Sequence, residues 1–73
     1  VKFGAFIDVL AAHGSVLHRH GSGSHAIYRG VVERSVRLVT IAAHRMGDEI
    51  APGTFASMIR QTGLPKHVFR NRR

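Results

Sequence analysis

The sequence predicts an α+β fold: a small two-layer domain in which a helix, a three-stranded antiparallel sheet and a second helix follow one another. Three observations predict it. Apolar residues recur at helical spacing towards both ends, branched and aromatic residues cluster in short runs between, and Gly-rich punctuation separates the runs. A chain of 73 residues has room for one modest core, so residues 1–73 are read as a single domain.

Val1 to His13 places Phe3, Phe6, Ile7 and Leu10 on one stripe, with Ala5, Ala11 and Ala12 between them and Gly14 as the stop. Asp8 falls away from that stripe, and the aromatics read as core. Ser15 to His20 is a short strand with Val16 and Leu17 as its apolar content. Gly21-Ser22-Gly23-Ser24 breaks it with a tight turn. His25 to Arg29, containing Ile27 and Tyr28, is a second strand. Gly30 to Ser35 is expected to be a loop and Val36 to Ala43 a third strand, which makes an antiparallel meander.

Alternation in the third strand puts Arg37, Val39 and Ile41 on one face and Leu38 and Thr40 on the other, without saying which is buried. His44 to Gly53 reads as a polar loop holding Arg45, Asp48, Glu49 and Pro52. Phe55, Met58 and Ile59 then mark a helix, with Thr54 as expected cap, Gly63 as stop and Pro65 blocking continuation. The tail from Lys66 to Arg73 is basic and expected to fray at its end. Both helices can bury their Phe6 and Phe55 stripes against one sheet face, leaving the other open.

The charge points to a polyanion. Eleven Lys and Arg, nine of them Arg, stand against Asp8, Glu33, Asp48 and Glu49, for a formal net charge of +7. Guanidinium groups suit forked contacts with phosphate, and such a field makes binding salt dependent. No segment has the charged start and apolar stretch of a signal peptide or the length of a membrane span, so the cytoplasm is the expected location. A membrane surface is a weak rival, because no long helix carries basic and bulky apolar residues on opposite faces. With no cysteine, disulfides and thiolate metal sites are excluded.

Six histidines remain as candidates for chemistry: His13, His18, His20, His25, His44 and His67. His18 and His20 lie two apart on a strand and would share a face, but no third ligand accompanies them, so neither metal nor other cofactor is expected. Ser24 beside His25 is a sequence neighbour rather than a positioned nucleophile, and the Gly-Ser run lacks the Lys of a phosphate-binding loop. RNA cleavage asks for less. The 2′-hydroxyl is the attacking group, and a histidine can move protons near neutral pH while arginines stabilise the phosphate. Chemistry alone leaves all six histidines open.

The order of motifs is more selective. Phe3 to Gly14, Arg19, Gly23-Ser24-His25, Tyr28, Val39 to His44, Pro52-Gly53-Thr54, Ile59 with Gly63, and Gly63-Leu64-Pro65 followed by Phe69 together resemble the HicA (YcfA-like) family of bacterial toxins along nearly the whole chain. That resemblance implies a fold similar to double-stranded-RNA-binding domains. It also implies an mRNA interferase of a toxin–antitoxin system, with a HicB-type antitoxin as partner and mRNA as substrate. The family's catalytic histidine carries over to His25. Arg19, Gly23, Ser24, Arg29 and His44 are the accompanying candidates for holding RNA. Two departures stand out: Gly21-Ser22 repeats the motif's Gly-Ser and lengthens the expected turn, and Ala26 follows the histidine where the family often has a polar or basic residue. The alternatives are an RNA-binding module of the same fold that does not cut, and a regulatory domain met by an acidic protein partner.

Overall fold

A computed structural model of the chain describes residues 1–21, 23, 25–42 and 45–70, the side chain of Arg70 excepted. Helix α1 spans Phe3–Ala12, strands β1, β2 and β3 span Val16–His20, His25–Val32 and Ser35–Ala42, and helices α2 and α3 span Pro52–Thr62 and His67–Arg70. The strands form one antiparallel sheet in the order β1-β2-β3. The expected α+β class and strand order are therefore present.

Helix α1 begins without a side-chain cap, since Lys2 is its N-cap residue. Its first amides are satisfied by the loop before α2 instead: Phe3 N–H donates to the Asp48 carbonyl at 3.1 Å and Gly4 N–H to that of Met46 at 2.8 Å. Gly4 allows this approach, because a Cβ there would lie 3.2 Å from the Met46 oxygen. The loop read as merely polar thus clamps the helix start, and Ile50 within it is buried.

The segment Gly30 to Ser35, expected as a loop, is mostly sheet. β2 runs on to Val32, β3 starts at Ser35, and only Glu33 and Arg34 turn, with φ of 51° and 67°. Two successive positive φ values give the two-residue hairpin whose twist matches the flanking strands. The familiar Asn-Gly signal is absent, which is why the turn does not show in the sequence. Gly30 lies in the strand because the Ser15 side chain occupies the place where its Cβ would be.

Thr54 does not cap α2. The N-cap is Ala51, and Pro52 takes the first helical position, where its missing N–H costs nothing. Gly63 ends the helix in the left-handed conformation at φ 72°, as expected. Beyond it, Thr62 Oγ1 donates to the Ile59 carbonyl at 2.6 Å and accepts from Leu64 N–H at 3.0 Å, which turns the chain towards α3.

The core joins Phe6, Val9 and Leu10 of α1, Val39 and Ile41 of β3, Ile50 of the loop before α2, Met58 and Ile59 of α2, and Phe69 of α3. Phe6 sits edge-on to Phe55 at 6.1 Å and stacks on Phe69 at 4.4 Å. The basic tail is therefore docked as far as Phe69, which is fully buried. Residues 71–73, where fraying was expected, lie outside the described residues.

Candidate nucleic-acid interface

Burial of Val39 and Ile41 settles which sheet face meets the helices. Their β2 partners, Tyr28 and Ala26, share that face, and Arg37 lies on it too. Arg37 is exposed and its side chain lies against the end of α2. Its guanidinium arm crosses Gly63 so closely that a Cβ there would lie 2.7 Å from Nε, at the helix end where positive charge is favoured. The opposite face carries His25, Ile27, Arg29 and Val31 of β2, paired with Ala42, Thr40, Leu38 and Val36 of β3.

On β1 the ladder slips. Leu17 pairs with Tyr28, yet Arg19 pairs with Ile27 and His20 with Ala26, so His18 is an extra residue in a bulge. Simple alternation would set Leu17 and Arg19 on one face. The bulge separates them, sending Arg19 to the open face with Ile27 and His20 to the helix side with Ala26. The alternation that would have given His18 and His20 a common face is broken at that point. Among the described residues, no three His, Cys, Asp or Glu side chains gather where they could hold a metal ion.

His25 starts β2 at the end of the open face and is exposed. Its neighbours across the strands are small. Ala42 is its partner on β3, and just past the end of β1 Gly21 N–H donates to the His25 carbonyl at 3.0 Å. A Cβ on Gly21 would lie 3.2 Å from that of His25, so glycine here keeps the flank of the imidazole open. Gly21 thus continues the ladder, and the extra Gly-Ser pair does not displace His25 from the strand start. Gly23 adopts φ 63° in the connection. Ser24 and His44, both expected to touch RNA, lie outside the described residues.

The open face therefore brings together three of the expected residues. Along β2, His25 and Arg29 flank Ile27 at about 7 Å steps, the repeat of alternate strand residues. Arg19 stands beside Ile27 on β1, and both arginines are exposed. Farther from His25, Val16, Val31, Val36 and Leu38 are each more than half exposed. That apolar end was not foreseen, because the sequence alone could not say which parity of β3 faces water.

Such a domain is a small, basic, two-layered α+β protein that carries an imidazole and two guanidinium groups on an uncovered sheet face. The chain itself is a member of the HicA toxin family: the family model described as "HicA toxin of bacterial toxin-antitoxin" matches residues 5–64. Toxins of this family act within toxin–antitoxin systems, so an antitoxin is the partner that membership brings. No curated relative and no solved structure matches the chain. No helix among the described residues is long and apolar enough to cross a membrane.

Proposed function

We propose that this toxin is a metal-independent endoribonuclease that cleaves mRNA in the cytoplasm, with His25 moving the proton and a HicB-type antitoxin restraining it. The observation that carries the reading is the common face of His25, Arg19 and Arg29. A ribose–phosphate strand laid along that face would set a phosphate against the guanidinium groups and a sugar beside the imidazole.

The chemistry is a transesterification. The 2′-oxygen bonds to the neighbouring phosphorus, the bond from phosphorus to the 5′-oxygen breaks, and a 2′,3′-cyclic phosphate and a 5′-hydroxyl result. One proton leaves the 2′-hydroxyl and one reaches the departing 5′-oxygen, and His25 serves one of these transfers. Arg19 and Arg29 offset the charge that gathers on the phosphate oxygens in the transition state. Gly23, Ser24 and His44 complete the RNA contacts in this reading.

The test is RNA decay by the purified chain in the presence of a chelator, beside the His25→Ala variant. Cleavage by the parent and none by the variant supports the proposal. Cleavage by both at the same rate removes His25 from the mechanism, and binding without cleavage by the parent leaves an RNA-binding module.

A further inference from the structure

Behind the catalytic face, on the helix side of the same strand ends, lies a cavity of about 330 Å³. Ala26, the residue after His25, forms part of its wall, so one strand of backbone separates the cavity from the imidazole. We propose that this cavity is a nucleobase pocket, which takes one unstacked base of the RNA strand whose sugar and phosphate lie at His25. The proposal rests on the nuclease reading for its placement and adds to it the part of the molecule that reads the base.

The lining selects this occupant. Among the described residues no Arg or Lys borders the cavity, so none of them offers a phosphate a cationic partner there. A base, flat and apolar on its faces but polar at its edges, needs what the walls offer. Ile7 of α1 and the exposed Met46 supply apolar and polarizable surface, and the half-buried Tyr28 supplies a ring and a hydroxyl. His20 supplies a ring nitrogen for hydrogen bonding to a base edge. The volume falls at the small end of ligand pockets, which suits a single ring system rather than a larger metabolite. Gly23 forms the rim on the side of the turn, and its lack of a side chain lets a sugar–phosphate strand pass close to the backbone.

The bulge at His18 creates this arrangement. It sends Arg19 to the phosphate side and His20 to the cavity, so successive residues serve the backbone and the base of one strand folded over the sheet end. Phosphate contacts position, and base contacts specify.

Two measurements test the pocket. In the first, the unsubstituted chain, labelled with nitrogen-15, is titrated with each of the four nucleoside 5′-monophosphates and with ribose 5-phosphate. At least one nucleotide is expected to shift the amides of His20, Ala26 and Tyr28 saturably, while ribose 5-phosphate leaves them in place. If ribose 5-phosphate reproduces the shifts, or if no nucleotide moves these amides, the pocket is rejected. In the second, Ala26→Leu fills the cavity in a His25→Ala background, and affinity for a short single-stranded RNA is measured. Loss of one stacked base is expected to weaken binding roughly 5- to 150-fold; unchanged affinity in the folded variant overturns the proposal. Neither measurement reads cleavage. A chain that shows nucleotide-specific shifts but leaves RNA intact keeps the pocket and loses the nuclease reading, and the converse result keeps the nuclease alone.

Discussion

Arg19 is the partner of Ile27, one position beyond the Ala26 that an unbroken ladder from Leu17 and Tyr28 would assign to it. This single slip decides the electrostatics of the site. Without it, Arg19 would face the helix side, in the exposed place beside Ala26 that His20 holds, and away from His25 and Arg29. With it, the guanidinium stands in water on the face that carries His25 and Arg29.

Arg19→Ala and Arg29→Ala are therefore expected to weaken RNA binding about equally for all sequences. Each should also lower the slope of log K against log salt by about one unit, as the loss of one phosphate contact does. Arg37→Ala, on the other face and engaged with Gly63, should leave the slope unchanged. Fluorescence anisotropy at several salt concentrations, in a His25→Ala background, measures all three.

His25→Ala should lower the rate of RNA cleavage by roughly 10²- to 10⁴-fold, the range for removing a general acid or base. The side chain is exposed between Ala42 and Gly21, so the melting temperature should move little. A variant that has lost activity through unfolding would be exposed by its circular dichroism melt.

Phe69→Ala is expected to cost about 3–5 kcal/mol, the range for deleting a fully buried aromatic. Phe69 is stacked on Phe6 at 4.4 Å and lies beyond the segment matched by the family model, so its loss tests whether α3 is part of the folded unit. Urea denaturation reads the change. A shift below 1 kcal/mol would mean that the tail does not dock in solution.

Thr62→Val keeps the shape of a buried side chain but removes two hydrogen bonds, those to the Ile59 carbonyl and from Leu64 N–H. A loss of about 1–3 kcal/mol is expected, because the Leu64 amide is left without its acceptor. Thermal unfolding checks it, and an unchanged midpoint would show that Leu64 finds another partner.

Arg34→Gly should stabilise the domain by about 1 kcal/mol. Arg34 sits at φ 67°, a conformation that costs a residue with a Cβ and suits glycine. A rise in melting temperature of several degrees is the expected reading for a domain of this size. A fall would show that the Arg34 side chain makes contacts worth more than the backbone penalty.

Most of the fold was legible in the residues. Both main helices follow from the spacing of Phe3, Phe6, Ile7 and Leu10 and of Phe55, Met58 and Ile59, since periodicity records which face is buried. The glycines at 14 and 63 mark the helix ends through their positive φ. The Glu33-Arg34 hairpin was not legible, because its residues carry no turn signal and the sheet on either side imposes the geometry. Nor was the start of α2, where Pro52 and not Thr54 opens the helix.

By itself the sequence determined the charge and the order of the two main helices and three strands, and through its resemblance to the HicA family it singled out His25 as the histidine proposed for catalysis. Only the tertiary structure decided which side of the sheet each of those residues occupies. Parity along a strand is a local rule, and one extra residue at His18 inverts it for everything that follows in β1. The buried position of Phe69 was likewise decided by Phe6, sixty-three positions away in the chain and 4.4 Å away in the core.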